Sequence, residues 1–343
     1  MGADKDYNLC FPLKDVHAND GFMGFFGKQV QGLAVKSVIR QGADITVTMT
    51  IDEKVLNQDD LWKTLIPNMP ENAKICIVSL SPDIVDIVTE LNKRGIPVTW
   101  KPTGSIDIRK DYNEKIFLID DAPENEVWNY LSQEYSCLNP FASAYSVENR
   151  YILARLMQQR VILRNMTPYT QFFDNKEQVE AFLNANEDKP FAVKEWQHLG
   201  SGSTLMKLQA PLTDKDRYGL HRASNKYPFV VQDWLDHDPK KQYLRVLRFG
   251  NTLVAKKPLN PEKVNGQTAT AFIEEKNIPR DIDVMSKRFN NIMGLFYSSG
   301  DYVFSDHKWY MVDIHAENTD ILSYFAFPHA TDLLCREIEH LRD

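Results

Sequence analysis

The amino-acid sequence predicts an α/β domain followed by an α+β domain. Three observations carry this. KICIVSL (74–80) and IPVTW (96–100) are strand-like runs separated by one helical segment, and such a βαβ unit with short connections requires a parallel sheet. Beyond residue 190 the pattern becomes a series of hairpin-like strands, which predicts antiparallel sheet with helices behind it. Finally, 343 residues that are 43% hydrophobic and 25% charged match an ordinary soluble chain. That excludes wholesale disorder and leaves room for two or three domains.

Each element follows from local pattern. ITVTMTI (45–51) alternates as a half-buried strand does. The Gly- and Phe-rich stretch HANDGFMGFFGKQ (17–29) reads as a buried aromatic turn, with a substrate loop as the alternative. Ser81-Pro82-Asp83 signals a helix start; Ile84, Val85, Ile87, Val88 and Leu91 then share one face, and Gly95 supplies the C-cap. KIFLIDDAP (115–123) is a strand ending in Asp120 and Asp121, at the end where parallel sheets place ligands, although loop caps are the plainer role. Asn139-Pro140 marks a boundary, and Ser146 with Asn149 can cap a helix carrying Ile152, Leu153, Leu156 and Met157 on one side. VILRNMTPYTQFF reads as a strand or linker and KEQVEAFLNAN as an amphipathic helix. The strands FAVKEW, STLMKLQ, FVVQDWL, YLRVLRFG and TLVAKK follow. RDIDVMSKRFNNIMGLF (280–296) is a long amphipathic helix, and DYVFSDHKWYMVDIHAEN closes with two strands around a short turn. The expected domains are 1–137, 138–227 and 228–343.

Charge and composition exclude several functions. With 40 Lys+Arg against 47 Asp+Glu the net charge is −7, which disfavours a broad electrostatic grip on nucleic acid. No apolar run reaches the ~20 residues that cross a bilayer, and the N-terminus lacks the basic and apolar regions of a signal peptide. Gly2 is not a myristoylation site, because position 6 is Asp6. Cys10, Cys76, Cys137 and Cys335 are scattered with no CxxC pair, as in a cytoplasmic protein with reduced thiols.

Four features of the second half carry chemistry. Lys194 leaves the end of an apolar strand, and Gly200-Ser201-Gly202-Ser203-Thr204 follows; small residues expose backbone N–H groups to phosphates while a nearby ammonium binds them. Alone, this loop is a hairpin turn, and it is not a Walker A loop. In PFVVQDWLDHD (228–238) a buried strand turns polar after Trp234-Leu235, where backbone groups can read an adenine edge and Asp236 or Asp238 can reach a ribose. The basic hairpin YLRVLRFGNTLVAKK spaces Arg245 and Lys257 to project from neighbouring strands onto one site. Last, Asp301 precedes Asp313 by a hairpin, and Asp313 and His315 share a strand face, so a hard cation such as Mg²⁺ has carboxylate donors there.

The order of these features resembles the ATP-grasp superfamily, including ribosomal-protein glutamate ligases and D-alanine–D-alanine ligases. The resemblance covers roughly residues 138–320, and the βαβ-rich N-terminus is similar to the domain that precedes the two-lobed ATP-grasp in that family. Asn139 and Arg150 match its Asn-containing turn and basic helix start. Lys194 and the 200–204 loop match its strand Lys and glycine-rich loop, and Gln232-Asp233-Trp234-Leu235 is similar to its hinge. Arg245 matches the Arg of its Asp-x-Arg strand, where Tyr243 replaces the Asp. Lys257, or Lys256, stands for the next basic residue, and Asn265 for a loop Asn. Asp301, Asp313 and His315 reproduce a carboxylate followed 12 residues later by Glu-x-Asn, with Asp for Glu and His for Asn. Imidazole is a softer ligand, so Mn²⁺ is expected to serve at least as well as Mg²⁺, with Glu317 and Asn318 near enough to add oxygens.

The resemblance implies an ATP-dependent carboxylate–amine ligase working through an acyl phosphate on a peptide or small amino-acid substrate. Arg150 and Lys194 would hold the α/β-phosphates under the Gly200–Thr204 lid, with Gln232, Asp233, Trp234, Leu235 and Asp238 around the nucleoside. Arg245 and Lys257 would steady the transferred phosphoryl group, and Asp301, Asp313 and His315 the metal. A nucleotide-binding scaffold with a decayed metal site and a phosphotransferase on the same fold are the alternatives. Expected partners are ATP, a carboxylate substrate and an amine acceptor, with no membrane and no nucleic acid, and with a homodimer left open.

Overall fold

The computed structural model describes residues 5–12, 33–41, 44–51, 73–79, 84–101, 106, 112, 115–119, 125–194, 205–223, 228–238, 241–258, 270–273, 277–316, 321–324 and 328–341. The chain divides into two compact units, one of Met1–Leu138, Lys263–Gln267 and Asp320–Asp343 and one of Asn139–Glu262 and Thr268–Thr319.

In the first unit, β1 (Lys5–Pro12), β2 (Leu33–Gln41) and β3 (Asp44–Ile51) form an antiparallel sheet in the order β1-β3-β2. The βαβ reading holds beside it. β4 (Ile75–Val78) is followed by α1 (Ile84–Lys93) and β5 (Val98–Lys101), and β4 pairs with β5 in parallel. β6 (Ile116–Ile119), α2 (Asn125–Glu134) and β7 (Ser136–Cys137) extend the sheet to the order β5-β4-β6-β7. Ile75, Ile77 and Val78 are fully inside, as a strand covered on both faces requires. Gly95 ends α1 at φ 78, and the Ile96 N–H returns to the Leu91 carbonyl at 3.0 Å.

The second unit opens with α3 (Phe141–Glu148), α4 (Arg150–Gln159) and the short α5 (Val161–Arg164). Asn149 caps α4, its side chain accepting from the Ile152 N–H at 3.0 Å; Ser146 instead bonds the Ala142 carbonyl within α3. Residues 161–164 are helical rather than strand or linker. Their apolar side chains do not alternate in burial: Val161 and Ile162 are exposed while Leu163 is inside. β8 (Thr170–Phe173), α6 (Lys176–Asn184), β9 (Phe191–Lys194), β10 (Leu205–Leu208), α7 (Asp214–Ala223) and β11 (Phe229–Asp233) follow, with sheet order β10-β9-β11-β8. Val179 and Leu183 of α6 pack on Phe191, Val193, Phe229 and Val231. Helix α7 was not expected, because its sequence is polar and Leu220 is its buried apolar contact. Its start was legible in Thr213-Asp214-Lys215-Asp216, a capping box in which the Thr213 N–H reaches Asp216 at 2.9 Å and the Asp216 N–H reaches Thr213 at 3.2 Å.

A second antiparallel sheet holds β12 (Tyr243–Phe249), β13 (Thr252–Pro258), β14 (Thr270–Ile273), β15 (Tyr297–Ser305) and β16 (Lys308–His315), in the order β14-β13-β12-β15-β16. Asp306 and His307, at φ 48 and 62, form the two-residue turn between β15 and β16, as the strand twist requires. Helix α8 (Arg280–Met293) buries Ile282 and Phe289 and receives the Arg248 guanidinium, whose Nε donates to Ser286 Oγ at 2.9 Å. The chain ends in α9 (Ile321–Tyr324) and α10 (Pro328–His340), which belong to the first unit and not to the domain expected at 228–343. There Arg94 meets Asp332 at 2.6 Å.

Asn139 holds the second unit at its entry. Its amide donates to the carbonyls of Tyr297 and Ala316, both at 2.9 Å, and its oxygen accepts from the N–H groups of Phe296 at 3.0 Å and Tyr297 at 3.1 Å. All four bonding directions of a buried amide are used. Asn139→Ala would leave buried backbone groups unpaired, so a loss of about 2–4 kcal/mol is expected in urea unfolding. A loss under about 1 kcal/mol would contradict this role.

Candidate functional site

Sheet register builds the site. Lys256, Arg245, Asp301 and Asp313 are successive cross-strand partners along β13, β12, β15 and β16, so two cations and two carboxylates line one face. Arg248 lies on the opposite face, toward α8. The sequence reading assigned Lys257 to this row; the register puts the buried Lys256 opposite Arg245, and Lys257 faces the other side. Arg245 grips Asp301 in a fork, Nε to Oδ1 at 2.8 Å and Nη2 to Oδ2 at 3.0 Å. Burial alone would raise the Asp301 pKa, but the charge and hydrogen bonds of Arg245 carry it below the ordinary carboxylate range. Tyr243 also hydrogen-bonds to this pair, and burial pushes its phenol pKa up, so its hydroxyl is neutral.

Between Asp301 and Tyr302 the β15–β16 register shifts, which makes Val312 the extra residue of a bulge. Its carbonyl accepts a hydrogen bond from Lys194 Nζ, and the Met311 N–H bonds the Met166 carbonyl at 2.7 Å. Lys194 therefore ends β9 with its ammonium buried beside Asp313 and Arg150. Burial lowers its pKa, the Asp313 charge opposes that, and Arg150 adds to it. Arg150, the first residue of α4, reaches Asp313 Oδ2 with Nη2 at 3.4 Å.

Arg150, Lys194, Gln232 and Asp313 line one cavity of about 500 Å³, a volume within the range of small-molecule sites. Leu153, Ala154, Met157 and Met311 give it apolar walls, and Arg164 and Lys308 add cations. The hinge differs from expectation. The Asp233 N–H is taken by the Tyr169 carbonyl at 3.0 Å and the Trp234 N–H by the Pro190 carbonyl at 3.2 Å, so neither is available to an adenine edge. The Asp233 side chain pairs with Lys189 at 3.1 Å, the Trp234 ring lies 4.7 Å from Lys207 Nζ, and the Leu235 carbonyl accepts from His237 at 2.8 Å. The Asp238 carbonyl receives the N–H groups of Lys241 and Gln242, which makes it a turn residue. None of these four lines the cavity. Gly200, Ser201, Gly202 and Ser203, like Asp120, Asp121, Asn265, Glu317 and Asn318, lie outside the described residues.

His315 shares the face of Asp313, but its ring sits between two carboxylates: Nδ1 is 3.6 Å from Glu148 Oε2 and Nε2 is 3.7 Å from Asp313 Oδ2. Burial works against its charge, yet the bond to Glu148 and the field of Asp313 outweigh it and raise its pKa. Glu148 is itself fixed by the Ala316 N–H at 2.6 Å. With Asp301 held by Arg245 and both His315 nitrogens turned to carboxylates, these residues do not fit a Mg²⁺ or Mn²⁺ site. Among the described residues no group of three His, Cys, Asp or Glu is placed to hold a metal ion. Glu148 and Lys256 complete the site; no spacing rule pointed to Glu148, and Lys256 was one residue from the preferred choice.

The fold is that of the ATP-grasp ligases. D-cycloserine synthetase DcsG has a similar structure at TM-score 0.57 and 13% identity, over 77% of this chain and 99% of that one. The ATP-grasp ligase PsnB, complexed with a minimal precursor, Mg and ADP, superposes at TM-score 0.57 and 14% identity, over 78% of this chain and 97% of its own. The macrocyclase MdnC, bound with precursor peptide MdnA from Microcystis aeruginosa, gives TM-score 0.53 at 14% identity, over 77% and 99%. The sequence matches no protein-family model and no curated protein.

Proposed function

We propose that this chain is an ATP-dependent ligase that activates a carboxylate as an acyl phosphate and transfers it to an amine of a peptide or small amino acid. The observation that supports this best is the convergence of buried Lys194 and Arg150 on one apolar-walled cavity lined by Asp313, the end of the strand row that runs through Asp301 to Arg245 and Lys256. Arg150 and Lys194 bind the α/β-phosphates. A substrate carboxylate oxygen attacks the γ-phosphorus, and the bond to the bridging oxygen breaks to leave ADP. Arg245, with Lys256 beside it, steadies the charge on the transferred group in a site of low dielectric. The amine then attacks the acyl carbon and phosphate leaves with the C–O electron pair, while the amine proton passes to solvent or a carboxylate.

A second reading, a nucleotide-binding protein without turnover, is favoured by Tyr243 in place of a carboxylate and by Asp301 being held by Arg245. Hydroxylamine trapping with ATP and candidate carboxylates separates the readings. A hydroxamate is expected; a stable phosphorylated product would indicate a phosphotransferase. Nucleotide binding with no product from any candidate would favour the second reading. Among the described residues no helix is long and apolar enough to cross a membrane.

A further inference from the structure

We propose that the groove between α3, α4, α5 and the end of α8 is a docking surface for an acidic amphipathic helix of a partner protein. The groove lies within the second unit. Leu156, Arg160, Leu163, Ile292 and Met293 line it, together with small side chains of α3. Its volume is about 230 Å³, below the range of small-molecule sites and suited to single apolar side chains presented by a peptide. It is separate from the larger cavity. That cavity uses the face of α4 bearing Leu153, Ala154 and Met157, whereas Leu156 and Arg160 lie one turn apart on another.

Two observations point to this occupant. The first is apolar exposure. Val161 is 60% exposed, Ile162 52%, Ile292 41% and Tyr145 40%, all on the segments that form the groove. They are four of the six large apolar side chains exposed among the described residues, and a cluster of that kind marks an interaction site where single scattered residues do not. The second is charge. The chain carries a net charge of −7, yet Glu148 is the lone acidic residue from Tyr135 to Phe173, and none occurs from Val284 to Gly300. Glu148 is turned inward, against the Ala316 N–H and His315. The groove is therefore edged by cations without carboxylates. Arg160 lines it and Arg288 stands one turn before Ile292; both are exposed, and neither forms an ion pair among the described residues. A helix with apolar side chains at i and i+3 or i+4 fills the apolar floor while its flanking Asp or Glu residues meet Arg160 and Arg288. A nucleic-acid backbone would meet the cations but leave that floor uncovered, and a flat bilayer surface does not fill a recess between helices.

The test is selection of random peptides displayed on phage by the intact protein, followed by titration of the enriched sequences as synthetic peptides. Enriched sequences are expected to carry apolar residues at i and i+3 or i+4 with Asp or Glu beside them. Ile292→Ser and Arg160→Glu should each weaken their binding about tenfold or more. Both side chains are exposed, so neither change disturbs the core. Arg155→Glu is the control for charge reversal alone: Arg155 stacks on Tyr151 and Phe172 and does not line the groove, so binding should be unchanged. No enrichment, enrichment of basic peptides, or sequences that bind Ile292→Ser as tightly as the parent overturns the proposal. Binding to phosphatidylserine vesicles that Ile292→Ser abolishes overturns it in favour of a membrane surface. A dimer in sedimentation velocity that Ile292→Ser splits overturns it in favour of a second copy of this chain.

Discussion

Replacing Lys194 with Met is expected to cut nucleotide affinity about 100-fold while leaving the protein as stable as its parent, or more stable. The two effects separate because they have different causes. In the cavity the Lys194 ammonium is desolvated, with the Val312 carbonyl and the field of Asp313 as partial compensation, and its pKa is depressed accordingly. A Met side chain fills a similar volume without that desolvation cost. A phosphate chain needs the charge itself, in a site where water screens little. Nucleotide titration and thermal unfolding of the same variant check both halves. Loss of stability with unchanged affinity would make Lys194 a structural residue.

Arg245→Leu is expected to destabilise the folded protein by about 2–3 kcal/mol at neutral pH. This is below the full cost of breaking a buried pair, because the guanidinium is 36% exposed while the Asp301 side chain is 13% exposed. The sign of the pH dependence follows from the pair. With Arg245 present, the Asp301 pKa is depressed, so its contribution is present above the unfolded Asp pKa of ~3.9 and is lost as pH falls through the folded value. Without Arg245, burial is left to raise that pKa, and the carboxyl takes up a proton on folding. The penalty of Arg245→Leu should therefore shrink as pH falls from 7 toward about 4. Urea unfolding of parent and variant across that range measures it, and a penalty independent of pH would place the cost in lost packing instead.

Much of this site was legible because its residues sit on strands with strong patterns. Lys194 at the end of FAVK, Gln232 at the end of FVVQ, and Asp301 with Asp313 a hairpin apart stand out in the sequence, and the structure brings Arg150, Lys194, Gln232 and Asp313 to one cavity. What was not legible is what register and tertiary contact decide. Two adjacent lysines on β13 differ only in face, and a one-residue offset exchanges them; the register chose Lys256. The hinge looked like exposed backbone, but Tyr169 and Pro190 arrive from elsewhere in the chain to take its N–H groups. His315 reads as a ligand in the sequence, whereas in the structure Glu148 of α3 lies against its ring. The bulge at Val312, which gives Lys194 its carbonyl partner, has no sequence mark. In the first unit the βαβ pattern was explicit, whereas the return of α10 beside Arg94 depends on a contact 238 residues apart in sequence.

The measurement that tests the nucleotide site most directly is a crystal structure of the protein with a nonhydrolysable ATP analogue. The expected result is a triphosphate against Lys194 and Arg150, with the base between the apolar walls. An analogue ordered elsewhere on the chain, or an empty cavity in a folded protein at saturating analogue, would contradict it.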